Sequence, residues 1–348
     1  MRNHFIDFMR GVAALGVLVC HTSRAVISFY PNSWLNSSSF LKSFFEHGRI
    51  GVDIFFLISG YIIFISVNRN SSPRVFLAKR LTRIFVPYLP LAILLGLVYL
   101  MFPGLTNSPN GISVNWIKSL TLIPATGDYS LSIAWTLSYE VFFYIIVCLT
   151  LFLRLNAARW LIVLFPSMAG LVAILCGRPI EFNKATDFAE LFLSPYQWEF
   201  LIGCISAWAG QALISQFSAL RNEKRILSTI FILAVAIVIF PFDLNLRYRI
   251  ILMVFLGTLL ALSSVRDFSF ARKRLRLITV AGTFSYSLYL VHVPVQSVIV
   301  RLSLLLKLPV ELLLVILIAV PVICSIEYFY LIERHSLALM KQIEKSMK

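Results

Sequence analysis

Residues 1–23 read MRNHFIDFMRGVAALGVLVCHTS. This apolar run suits lipid, yet it carries a guanidinium, Arg10, towards one end and an imidazole, His21, at the other. In a helix, residues eleven apart share a face and stand about 16 Å apart along the axis, roughly half a bilayer core. With Arg10 at the membrane surface, His21 falls near the midplane. An ionisable group at that depth is costly and marks a functional site by default. The run has no small-x-small cleavage pattern and holds His21 and Arg24, so it reads as an uncleaved span rather than a signal peptide.

The rest of the chain repeats the pattern. Of its 348 residues, 59% are hydrophobic and only 14% charged, whereas a soluble domain averages about 25% charged residues. The sequence therefore predicts an all-α polytopic integral membrane protein. Ten spans are expected, at 8–28, 51–67, 84–102, 131–153, 160–176, 192–214, 226–241, 248–265, 278–300 and 309–331. The net charge of +15 follows topology rather than nucleic acid. With the N-terminus inside, most of the 31 Lys and Arg fall on inner segments, which places both termini in the cytoplasm. Residues 1–335 read as one ten-helix membrane domain and 336–348 as a short cytoplasmic tail, with no fused soluble domain. The cysteines are scattered singly without metal spacing, which suits packing rather than a disulfide framework or a metal site. The two long loops expected outside, 29–50 and 103–130, are rich in Ser, Asn, Gly and Pro, and suit a lid or an acceptor-recognition surface.

Within the spans, Glu140 in AWTLSYEVFFYII is the strongest companion to His21. Counted from the outer end of its span it lies about 13 Å deep, so both residues are expected near the midplane. A carboxylate beside a histidine fixes its tautomer and raises its basicity, as general-base catalysis requires; separate hydrogen bonds to neighbouring helices are the structural alternative. Asp53, in the first turn of the second span, suits either a functional role or helix capping. His292 precedes Pro294 in SYSLYLVHVPV, and the carbonyls that the proline frees offer it a purely structural partner. Glu199 and Glu327 are lesser candidates.

The segment FLAKRLTRIFVPY leads into the third span. Arg80 and Arg83, three apart, project from one face, with Lys79 and Arg74 close by. Set at a helix N-terminus, such a cluster makes an anion site, above all for phosphate; plain topology charge meeting lipid phosphate is the alternative.

Six stretches now stand in order along nearly the whole chain: IDFMRGVAALGVLVCH, GVDIFFLISGYI, AKRLTRIFVPY, AWTLSYEVFFY, QWEFLIGCISA and SYSLYLVHVPV. Together they resemble the membrane-bound acyltransferase type 3 family, which includes O-antigen and exopolysaccharide O-acetyltransferases of the ExoZ-like kind. The resemblance implies a ten-helix module of the bacterial inner membrane that takes an acyl group from cytoplasmic acyl-CoA, acetyl by preference. The acceptor it implies is a sugar hydroxyl on an envelope glycan or a lipid-linked precursor. It matches Arg10 and His21 to the family's first-helix motif, Arg80 and Arg83 to its Arg-x-x-Arg motif, and Glu140 to the acidic position of TLSYE.

Acyl transfer from a thioester to an alcohol needs a base and stabilisation of an oxyanion. The expected catalytic assignment makes His21 the base, Glu140 its orienting partner, and Arg10 a residue that lines the donor channel or stabilises negative charge on the donor. Arg80, Arg83, Lys79 and Arg74 hold the coenzyme A phosphates. Asp53, His292, Trp135 and Ser138 line the substrate site, and both direct transfer and a transient acyl-enzyme at His21 or a nearby serine such as Ser138 suit the sequence. No metal or permanently bound cofactor is called for. A transporter or flippase is the competing class, and turnover of labelled acetyl-CoA discriminates the two.

Overall fold

A computed structural model describes residues 3–67, 72–102, 105, 114–152, 185–216, 246–265 and 276–346. Its described regular structure is helical: α1 (His4–Phe29), α2 (Trp34–Ser37), α3 (Ser39–Glu46), α4 (Ile50–Val67), α5 (Pro73–Met101), α6 (Trp116–Thr121), α7 (Ala134–Phe152), α8 (Phe188–Leu193), α9 (Tyr196–Gln216), α10 (Leu246–Val265), α11 (Arg276–Ala281), α12 (Ser285–Leu306), α13 (Val310–Tyr328) and α14 (Arg334–Ser346). Among the described residues only an isolated bridge, Val114 to Asp128, is of β type.

Among the described residues, six helical runs are long and apolar enough to cross a membrane: His4–Phe29, Ser39–Val67, Pro73–Met101, Ala134–Phe152, Ser285–Leu306 and Val310–Ser346. The expected spans 192–214 and 248–265 coincide with the helices α9 and α10, neither of which counts among the six; Tyr248–Ser263 is a shorter apolar helix. The expected spans 160–176 and 226–241 lie outside the described residues.

Two expected spans change their bounds. The third, expected at 84–102, begins eleven residues earlier, at Pro73. The Ser72 hydroxyl accepts from the Val75 N–H, and Pro73 fills the first helical position, where its missing N–H costs nothing. The ninth, expected as continuous over 278–300, is two helices. The Gly282 N–H bonds to the Ile278 carbonyl and the Thr283 N–H to that of Val280, closing α11 before α12 starts at Ser285.

The chain divides into two units, one of residues 1–65 and 202–326, the other of residues 66–201 and 327–348. In the first, α1 packs along α11 and α12. The approach of α1 to α11 is backbone to backbone. A Cβ on Gly11 would overlap the Ile278 carbonyl, and one on Gly282 would overlap that of Asp7, so small residues bring the helices together as they do inside lipid. The entry to α1 is fixed by Asn3, whose side chain accepts from the Phe5 and Ile6 N–H groups and donates to Ser263 Oγ at 3.0 Å. Val26, Leu35, Val300, Leu313 and Leu317 form a buried cluster between α1, α2, α12 and α13.

In the second unit α5 is the central element, packed against α7, α6 and α14. Phe143 and Phe200 stack at 4.2 Å between ring centroids. The Tyr328 hydroxyl donates to the Pro87 carbonyl of α5.

Candidate active site

In the first unit, α1 and α12 set two histidines side by side. The His21 and His292 rings meet edge to face with centroids 5.1 Å apart. His292 is buried, and its Nδ1 lies 3.0 Å from the Leu288 carbonyl. A carbonyl only accepts, so Nδ1 carries the hydrogen and Nε2 presents a lone pair, which has no hydrogen-bond partner. The bond answers the sequence expectation in part: His292 does satisfy a carbonyl, but that of Leu288, four residues back, rather than that of Leu290, which Pro294 leaves without its helical donor.

The spacing of the two histidines is set one turn away. Gln296, four residues beyond His292 on the same face, is buried. Its Nε2 donates to the Thr22 hydroxyl at 2.7 Å and to the Leu317 carbonyl at 3.1 Å, and lies 3.4 Å from the Leu18 carbonyl. One amide thereby ties α12 to α1 and α13, next to His21 in sequence. The sequence reading missed Gln296, although an amide in an apolar span at i+4 from a histidine was a signal in its own right.

Arg10 lies half-buried on α1, with Gly11 against α11 beside it. Asp53, expected either to cap α4 or to act at the substrate site, makes an ion pair rather than a cap. It is buried in the first turn of α4 and paired to Arg249 of α10, also buried. Two opposite charges in an apolar bundle favour each other over a backbone cap, which leaves the cation unpaired. The sequence reading missed Arg249.

In the second unit, two i,i+4 pairs face each other across α5 and α7. Phe76 and Arg80 share a face of α5; Glu140 and Tyr144 share a face of α7. The Arg80 guanidinium carbon stands 5.5 Å from the centroid of the Phe76 ring and 5.5 Å from that of Tyr144, a geometry that attracts a cation to ring faces. The two rings are themselves edge to face at 6.3 Å. Tyr144 donates its hydroxyl to Glu140 Oε1. The half-buried carboxylate and the arginine thus share Tyr144.

The basic cluster departs from its expected form. Because α5 starts at Pro73, Arg80 and Arg83 stand about 10 and 15 Å along the axis from its first residue. They have left the turn whose free amides were to join them; of the four basic residues only Arg74, exposed, remains there. Lys79 is engaged by Glu344 of α14, Nζ to Oε2 at 2.8 Å.

Ser138 is buried and shares a 2.5 Å hydrogen bond with the Tyr129 hydroxyl. Its hydrogen-bond neighbour is thus a phenol. Burial pushes the Tyr129 phenol above its ordinary pKa, so it stays neutral and able to donate. The loop carrying it is pinned by Lys118, whose Nζ donates to the Ala125 and Gly127 carbonyls at 2.6 and 2.9 Å and faces the Tyr129 ring at 4.6 Å. Trp135 is partly exposed and packs on Tyr139 and Tyr196. Among the described residues no group of three or more His, Cys, Asp or Glu is placed to hold a metal ion.

Apolar spanning helices enclosing a histidine pair, with an arginine on an aromatic face in the second unit, define a multi-pass membrane protein with ionisable sites. Residues 3–328 match the family described as acyltransferase domain, and the chain belongs to that family. It is 32% identical over 173 residues to the exopolysaccharide production protein ExoZ of Rhizobium meliloti (strain 1021), covering 46% of this chain and 50% of that one. It is 38% identical over 106 residues to an O-acetyl transferase of Shigella phage Sf6, covering 30% of this chain and 28% of that one. The chain thus spans half or less of the length of these curated relatives. No solved structure matches it.

Proposed function

We propose that the protein transfers an acyl group, acetyl by preference, from cytoplasmic acyl-CoA to a hydroxyl of an envelope glycan or its lipid-linked precursor. The names of its relatives support an exopolysaccharide acceptor and acetyl as the group moved. The observation that carries the reading is a histidine, His21, set in a spanning helix of an acyltransferase domain beside a second imidazole.

His21 takes the proton of the acceptor hydroxyl as its oxygen attacks the thioester carbonyl. The tetrahedral oxyanion collapses, the carbon–sulfur bond breaks, and the same proton passes to the departing thiolate. Arg80 and Arg83 take the coenzyme A phosphates, for which a guanidinium offers paired donors. The stack of Arg80 on Phe76 and Tyr144 fixes that fork in advance, so less rotamer freedom is lost when the donor binds. Glu140 holds the phenol of Tyr144 and so the aromatic wall on which Arg80 rests.

Purified protein in lipid, given acetyl-CoA labelled in the acetyl group, is expected to release free coenzyme A in a His21-dependent manner. Mass spectrometry of the glycans of producing cells should show a matching acetyl increment. Solute movement without thioester cleavage would replace this reading with a transporter.

A further inference from the structure

The geometry points to His292 as a positioning residue of the acyl-transfer centre. Its Nε2 lone pair receives the N–H of His21 when His21 becomes an imidazolium. The inference rests on the proposed role of His21 as base.

The argument starts from what a base in lipid requires. When His21 accepts the acceptor's proton, both its ring nitrogens become donors. An imidazolium without an acceptor in low dielectric is costly. A ring beside it in the same unit is another imidazole, 5.1 Å away between centroids.

That imidazole is locked in the tautomer the task demands. The Leu288 carbonyl takes the hydrogen of Nδ1, which leaves Nε2 as an acceptor inside a buried side chain. A buried polar atom with no hydrogen-bond partner carries a desolvation cost that native structures seldom tolerate without a use. Gln296 fixes the distance: its amide, four residues on from His292, holds the Thr22 hydroxyl next to His21, and α13 supplies a second acceptor at Leu317. The other ring close to His292 is Tyr289, at 5.9 Å between centroids.

His292 keeps its own proton count throughout. The His21 N–H turned away from the acceptor is held more tightly by His292 Nε2 when His21 is charged and less tightly once the other proton leaves with the thiol, so the interaction is strongest where the reaction needs it.

The test compares His292→Phe, which keeps a ring and removes the acceptor, with His292→Gln, whose amide oxygen restores one. With acetyl-CoA turnover as readout, His292→Phe is expected to lower kcat about 100-fold, the low end of general-base effects, while the KM for acetyl-CoA stays within about twofold. His292→Gln is expected to recover at least about tenfold of that loss. Full activity in His292→Phe, or equal activity in the two variants, overturns the inference.

Should His292→Phe fail to fold, 15N spectra of the histidine-labelled wild-type protein in lipid decide. A hydrogen on Nδ1 and a bare Nε2 at His292 support the role, and a hydrogen on Nε2 removes it. Loss of turnover in His21→Ala with full activity in His292→Phe refutes this inference alone. Retained turnover in His21→Ala refutes the assignment of His21 beneath it.

Discussion

Asp53 of α4 and Arg249 of α10 form an ion pair whose two side chains are 1% and 6% exposed. The sequence places them 196 residues apart, on opposite sides of a stretch outside the described residues. A buried pair of this kind fixes which helices are neighbours, because either charge alone is expensive in an apolar bundle.

The first prediction follows. Asp53→Ala leaves the guanidinium buried without its partner and is expected to cost about 3–5 kcal/mol of stability, whereas Asp53→Leu with Arg249→Met should recover most of that loss. Thermal unfolding of the detergent-solubilised protein measures both. A single variant as stable as the parent would show that the pair has no such role.

The second prediction concerns His21. His21→Ala is expected to cut acyl transfer by at least about 100-fold while the protein inserts and unfolds at the parent's temperature, since the half-buried ring leaves a small cavity. Turnover and thermal unfolding on one preparation check the two halves together.

The third prediction separates Arg80 from Arg83. Both Arg80→Ala and Arg83→Ala should weaken coenzyme A binding about 10- to 100-fold, as expected for the loss of charge-assisted hydrogen bonds. Arg80→Lys should be nearly as weak as Arg80→Ala, because an ammonium loses both the fork and the stack on Phe76 and Tyr144. Glu140→Gln should raise the donor KM in the same direction and combine less than additively with Arg80→Ala. Titration calorimetry with coenzyme A measures the affinities, and additive effects would separate the carboxylate from the arginine.

The fourth prediction is steric. Gly11→Val places its branch on the Ile278 carbonyl, a backbone atom that a side-chain rotation cannot clear. It is expected to push α1 from α11 and to cost more than about 3 kcal/mol, beyond the ordinary range of overpacking, because no flexible neighbour absorbs it. Thermal unfolding and the yield of inserted protein report it.

What the sequence made legible was what one helix can carry. Arg10 and His21 at eleven residues' separation, Arg80 and Arg83 at three, and Glu140 deep in an apolar run all follow from helical periods and the cost of charge in lipid. Pairings across long separations were not legible: His292 against His21, Gln296 against Thr22, and Arg249 against Asp53 are tertiary facts with no local period. Two local signals were overlooked. Ser72 followed by Pro73 announced a helix start well before Arg80, and it was this start that carried the arginines beyond the free amides. Gly282 with Thr283 in the ninth apolar run marked a break that hydrophobicity alone hides.

The length of α5 has a mechanical corollary. Its 29 residues measure about 43 Å against roughly 30 Å of hydrocarbon. The apolar stretch 84–101 accounts for about 27 Å of that, so the segment bearing Arg74 to Arg83 belongs at headgroup level. Thicker membranes would draw those arginines inward at an energetic cost, and thinner ones would let them reach further out. The height of the basic segment is therefore coupled to lipid chain length, which makes bilayer composition a tuning knob for any enzyme built on this helix.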